Sequence, residues 1–125
     1  MKDSFFTINK SSKGLYKDKG SKFISFALPV VSEAEISNNL HILKKMHHNA
    51  HHHCYAWRLG LSGDLYRAND DGEPTGTAGK PILGQIMSRQ LTNILVVVVR
   101  YFGGVLLGTG VLTQAYKKAA ADALK

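Results

Sequence analysis

The polarity pattern along the chain is dominated by one run, Ile94 to Val99, where isoleucine, leucine and valine follow each other without a polar residue. A strand buried on both faces needs such a run, so this segment is expected at the centre of a sheet. Arg100 ends it, Tyr101 and Phe102 follow, and Gly103-Gly104 begin a turn. From Thr109 the period lengthens: Leu112, Ala115, Tyr116, Ala119 and Ala123 recur at helical spacing and predict a C-terminal helix. Upstream, Ser21 to Val31 reads as a strand, with Phe23 and Ser25 on one side and Ile24 and Phe26 on the other. Pro29 marks its end or an edge position. Ser32 and Glu35 have capping-box spacing and open a helix through Ile36, Leu40, Leu43 and Met46, fraying near His47-His48-Asn49.

Ala50 to Leu61 reads as a second long strand, and the Gly63-Asp64 turn leads to a shorter one, Leu65 to Ala68. Residues 69–79 are a loop by composition. Pro81 suits the start of a helix through Ile82, Leu83, Ile86 and Met87 that ends near Gln90. At the other end of the chain, residues 3–8 supply a short edge strand through Phe5, Phe6 and Ile8, and residues 10–20 a lysine, serine and glycine hairpin or loop. The expected order is β-β-α-β-β-α-β-α. It predicts an α+β two-layer sandwich, a mostly antiparallel sheet with its helices on one face.

A chain of 125 residues, 44% apolar and 20% charged, is read as one globular domain over 1–125. No apolar run approaches the about 18 residues of a membrane span, and the N-terminus lacks an apolar signal core. A single cysteine, Cys54, excludes an internal disulfide and fits a reducing compartment, so a cytoplasmic location with no membrane partner is expected. Net charge is +7 and unevenly spread. Lys2, Lys10, Lys13, Lys17, Lys19 and Lys22 crowd the first segment against Asp3 and Asp18, and Arg58, Arg67, Lys80, Arg89 and Arg100 carry the middle. Such an excess favours an anionic partner, with RNA or the ribosome the obvious candidates.

Candidate chemistry concentrates in Asp70-Asp71-Gly72-Glu73-Pro74-Thr75-Gly76-Thr77-Ala78-Gly79-Lys80. Carboxylates this close could bind a divalent ion, and glycines before a helix could cradle a phosphate. As a phosphate-loop fingerprint the segment fails, because Pro74 replaces the first glycine and Pro81 the Mg²⁺-binding hydroxyl. The alternative is a tight loop whose acids cap turns or pair with Arg67 and Arg100. The glycine turn after Arg100 has two readings as well, an anion cradle at a helix N-terminus or a simple chain reversal. Among His47, His48, His51, His52, His53 and Cys54, strand alternation puts His52 and Cys54 on one face and His51 and His53 on the other. Two ligands per face fall short of a structural zinc set, so no metal is assigned. Cys54 reads as a buried sheet cysteine, and no catalytic triad signature is present. Aromatics at Tyr55, Trp57, Tyr66, Tyr101 and Phe102 interleave with Arg58, Arg67 and Arg100, a mixture used by single-strand binders and by ordinary cross-strand packing alike.

Three stretches, AHHHCYAWRLG (50–60), NDDGEPTGTAGKPIL (69–83) and VVRYFGGVLLGTGVLTQAY (98–116), together resemble the IMPACT family, in the form of the N-terminal domain of the bacterial YigZ-type proteins. The resemblance spans essentially the whole chain. It implies an α+β fold of the ribosomal-protein second-domain type, as in domain IV of elongation factor G, and a role near translation. Eukaryotic relatives restrain the starvation-responsive kinase of initiation factor two by competing for its ribosome-associated activator. The family pattern falls on His52, Cys54, Arg58, Asp70 to Pro74, Gly76, Thr77, Gly79, Arg100 to Gly104, Gly108, Gly110 and Tyr116. In its last motif the usual glycine and arginine are Val111 and Gln114 here, with Lys117 and Lys118 the nearby cations. The resemblance also implies that the usual second, ferredoxin-like domain is absent from this chain.

These readings lead to a non-enzymatic cytoplasmic domain that binds RNA, the ribosome or a translation-associated protein, with no cofactor. Its expected surface joins the Asp70–Lys80 loop, including Asp71, Glu73, Thr75 and Thr77, to the Arg100–Gly104 turn, with His52, Arg58, Arg67 and Lys117 around it. In that surface Arg100 and Lys80 meet phosphate, Tyr101 stacks a base, and Gly103 and Gly104 allow close backbone approach. The competing reading is an enzyme acting on a phosphorylated small molecule or nucleotide through Asp71, Glu73 and Thr77. A third is a protein-interaction module in which Asp71 and Glu73 meet a basic partner.

Overall fold

In the computed structural model, which describes residues 4–125, the elements run β1 (Ser12–Asp18), β2 (Ser21–Pro29), α1 (Glu33–Met46), β3 (His52–Leu59), β4 (Leu65–Asn69), α2 (Gly79–Ser88), β5 (Ile94–Tyr101) and α3 (Thr109–Ala123). The sheet order is β1-β2-β5-β3-β4, and every neighbouring pair is antiparallel. The α+β class read from the sequence is the observed one. β5 occupies the centre, and Ile94 to Val99 are all fully buried, as an uninterrupted apolar run requires.

The helices do not share one face, which corrects the two-layer expectation. Ile94, Val96 and Val98 of β5 pack with Phe23, Cys54 and the apolar sides of α2 and α3. Leu95, Val97 and Val99 point the other way and pack with Phe26, Trp57 and residues Ile36 and Leu43 of α1. A central strand with both faces apolar demands cover on both sides, and α1 supplies the second cover. Its cap is the expected one: the Ser32 hydroxyl accepts from Glu35 N–H at 3.2 Å, and Glu35 Oε1 accepts from Val31 N–H at 2.8 Å.

The first strand is also not where it was expected. Asp3 lies outside the described residues. Over residues 4–8, Phe6 makes an isolated parallel bridge to Leu91 instead of joining the sheet. The true first strand lies within the lysine-rich segment. Asp18 pairs with Ser21 across Lys19-Gly20, whose φ values of 47° and 84° suit a two-residue type I′ hairpin turn. The inner side of β1 is held by α3. Gly14 leaves the space for that contact, since a Cβ there would lie 2.5 Å from Ala123 N. Leu15 N–H donates to Asp122 Oδ2 at 2.8 Å, and Ser12 Oγ donates to the Ala123 carbonyl. β1 is thus made by a tertiary contact more than by its own polarity pattern.

Candidate functional site

The loop between β4 and α2 is organised by Asp70. Its carboxylate accepts from the backbone N–H of Gly76 at 2.9 Å, Ala78 at 3.2 Å and Gly79 at 2.8 Å. The last two belong to the start of α2, whose own N-cap residue, Ala78, has no side chain to offer. Burial alone raises the Asp70 carboxyl pKa, but these N–H groups and the Lys80 charge outweigh it and hold it below the ordinary value. Asp71, with φ of 42°, turns its side chain onto β3, where Oδ2 accepts from His53 N–H at 2.7 Å.

Glu73 then projects inward, its side chain 3% exposed. Arg100 Nη1 donates to Oε1 at 3.0 Å and to Oε2 at 2.8 Å, and the Tyr116 hydroxyl donates to Oε2 as well. Cys54 extends the network, with Sγ 3.1 Å from the Asp70 carbonyl and 3.4 Å from the Tyr116 oxygen. Burial pushes the Cys54 thiol and the Tyr116 phenol far up, so both stay protonated and act as donors. The Arg100 guanidinium lies between the rings of Phe23 and Phe102, 5.6 and 5.7 Å from their centroids. Its Nε is buried without a hydrogen-bond partner.

A cavity of about 250 Å³ opens above this floor, lined among others by His51, His52, Glu73, Arg100, Phe102 and Leu106. His52 Nδ1 lies 2.8 Å from the Asp71 carbonyl, which can only accept, so Nδ1 carries the proton. His52 Nε2 faces Glu73 Oε1 at 3.6 Å. His51 Nδ1 accepts from Phe102 N–H at 3.1 Å and fixes that residue at the cavity mouth.

The expected site residues divide clearly. His52, Asp70, Asp71, Glu73 and Arg100 converge. Gly103 closes against the β1–β2 turn, where a Cβ would sit 2.1 Å from Gly20 C, and Gly104 with φ of 88° lets the chain turn away. Tyr101 does not join them: alternation sends it to the α1 side, where its hydroxyl meets His47 Nδ1 at 2.6 Å. Phe102, not Tyr101, is the ring beside Arg100. Arg100 itself is 5% exposed and paired, so it does not reach out to a phosphate as expected. Arg58 Nε donates to the Gly63 carbonyl at 2.8 Å and covers Phe5, while Arg67 lies over Trp57 on the α1 side. Thr75, Lys80 and Lys117 are exposed and apart from the cavity lining. Asp71, Glu73 and Thr77 commit their polar atoms to separate partners, the Thr77 hydroxyl donating to the Pro74 carbonyl at 2.6 Å. Sequence reasoning missed Tyr116 and Cys54 as partners of the acidic loop and His51 and Phe102 as cavity residues. His51 stands just outside β3, so the alternation rule that set it opposite His52 does not reach it.

The loop and turn that build this site carry the pattern of a known family, and the Impact N-terminal domain model matches residues 19–124. The chain belongs to this family. Curated relatives include the IMPACT family members YvyE of Bacillus subtilis (strain 168), 40% identical over 99% of the chain, and YigZ of Escherichia coli (strain K12), 41% identical over 86%. The chain spans 57% of the length of YvyE and 53% of YigZ. Among solved structures, a hypothetical protein superposes with a TM-score of 0.93 at 36% identity, covering 99% of this chain and 61% of its own. The two-domain translational regulator Yih1 superposes with a TM-score of 0.59 at 27% identity, over 94% of this chain and 47% of its own. The Impact fold is therefore shared with a regulator of translation. No helix among the described residues of this Impact domain is long and apolar enough to cross a membrane.

Proposed function

We propose that this Impact domain takes part in the regulation of translation by binding RNA, free or on the ribosome, at the end of the sheet where the β1–β2 turn meets the Arg100–Gly104 segment. The observation that carries this reading is the disposition of the lysines. Lys10, Lys13, Lys17, Lys19 and Lys22 are all exposed on or beside one hairpin, and none of them is in an ion pair among the described residues. Cations left unpaired on one edge make a phosphate-binding face, because each phosphate they neutralise releases condensed counterions. The hairpin tip packs on Gly103, next to Phe102, so charge and an exposed aromatic adjoin.

The test is fluorescence anisotropy of labelled single-stranded and duplex RNA across a salt series. The wild-type domain is expected to bind with a steep salt dependence. Replacing Lys17, Lys19 and Lys22 together by Gln lowers the log–log slope by roughly two if each meets one phosphate of a single strand. Salt-insensitive binding, or a variant with the wild-type slope, sinks the reading. Absence of RNA binding at low salt points instead to an acidic protein partner for the same face.

A further inference from the structure

The cavity floor contains an unresolved pairing that the domain's own groups do not complete. Glu73 Oε2 already accepts two hydrogen bonds, from Arg100 Nη1 and Tyr116. Oε1 accepts only one, from Arg100 Nη1, and so has a lone pair to spare. Facing it at 3.6 Å, beyond hydrogen-bond distance, is His52 Nε2, which carries a lone pair in the tautomer that donates from Nδ1 to the Asp71 carbonyl. Two acceptors therefore confront each other at the base of an open cavity. Such an arrangement calls for donors placed between them.

Three further features narrow the ligand. Glu73 and Arg100 cancel in charge, so the floor favours a neutral group. Phe102, 40% exposed, and Leu106, 88% exposed, stand at the mouth and offer a flat apolar surface. A volume of about 250 Å³ lies below the roughly 300–1,000 Å³ usual for drug-sized ligands, which suits one heterocycle and not a whole nucleotide.

We infer that this cavity binds a nucleobase with two adjacent N–H donors, the Watson–Crick edge of guanine, its N1–H and N2–H groups directed to Glu73 Oε1 and His52 Nε2 and its ring against Phe102. Adenine and cytosine each place a ring acceptor beside their amino group, and uracil offers one N–H between two carbonyls, so each brings an acceptor against the floor. The ribose and phosphate remain outside, on the side of the lysine hairpin. Only the source of the base, an unpaired guanine within RNA, rests on the function proposed above.

The experiment uses the wild-type domain in two arms. In the first, guanosine, inosine and adenosine are titrated while the ring signals of His52 and Phe102 are followed by NMR. Guanosine is expected to shift both sets, and inosine, which lacks the N2 amino group, to bind about tenfold more weakly. In the second arm, labelled oligouridylate carrying one central guanosine, inosine or adenosine is compared by anisotropy, and the guanosine oligomer is expected to bind about tenfold tighter than the other two. Phe102→Ala, which removes an exposed ring, lowers guanosine affinity while the domain stays folded. Guanosine shifts without salt-dependent RNA binding uphold the cavity and overturn the RNA function. RNA binding with no guanosine shift and no preference among the three oligomers overturns the cavity assignment and leaves the RNA function standing. Shifts of equal size for guanosine and adenosine also overturn it.

Discussion

The domain has two charge-rich regions, and they treat their charges in opposite ways. In the 70–80 loop, the Asp70, Asp71 and Glu73 carboxylates each accept from named donors, and Glu73 is buried against Arg100. In and just before the β1–β2 hairpin, five lysines stay exposed and outside any ion pair among the described residues. A buried charge is tolerable only when it is paired, so the loop's polar atoms chiefly hold the fold and shape a cavity. Exposed charges contribute little to stability and remain available to a partner. Charge density in a sequence therefore leaves side chains open to solvent in one region and builds architecture in the other, and burial decides which.

Substitutions can break that contrast. The largest effect is expected for Glu73→Ala, which leaves Arg100 charged and buried and costs about 3–5 kcal/mol in urea unfolding. The double variant Glu73→Leu with Arg100→Met recovers much of the loss, and a double as unstable as the single would show that the pair is not the cause. Gly103→Ala comes next. Its Cβ would collide with Gly20, prise the hairpin tip from the turn and cost about 1–3 kcal/mol, together with weakened RNA binding.

Asp70→Asn is expected to cost about 1–2 kcal/mol, the range for losing a helix cap. Its pH dependence has a definite sign. The folded-state pKa of Asp70 lies below the reference value of 3.8, so its contribution is fully present above about pH 4 and is lost as pH falls towards the folded value. Acid-unfolding curves of wild type and variant should converge there, and a constant gap down to low pH would exclude the charge as the source. Tyr101→Phe removes the hydrogen bond to His47 on the α1 side and is expected to cost about 1 kcal/mol, with RNA affinity unchanged. The lysine triple variant is expected to stay within about 0.5 kcal/mol of wild type in stability while losing RNA binding. A large stability loss there would mean that the hairpin charges are structural after all.

Much of the architecture is legible in short stretches. The apolar run of β5 dictates a central strand, the Ser32–Glu35 spacing starts α1, and the helical period after Thr109 is the buried side of α3. These signals are local, arising from periodicity and from backbone groups a few residues apart. The alternation that puts Arg100 and Tyr101 on opposite faces is local too, and it already separates the charged residue from the tyrosine. What folding in three dimensions decided is everything that depends on partners far apart in the chain. β1 is a strand because Gly14 admits α3 and Asp122 ties Leu15, though its own residues read as loop. Both faces of the sheet carry helices because α1 crosses to the side opposite α2 and α3, which periodicity does not specify. The Glu73–Arg100–Tyr116 network joins residues 27 and 43 positions apart in sequence, and its stability comes from burial that no local pattern encodes. Local pattern sets what each segment can become, and long-range burial selects which polar groups are sealed inside and which are left to meet a ligand.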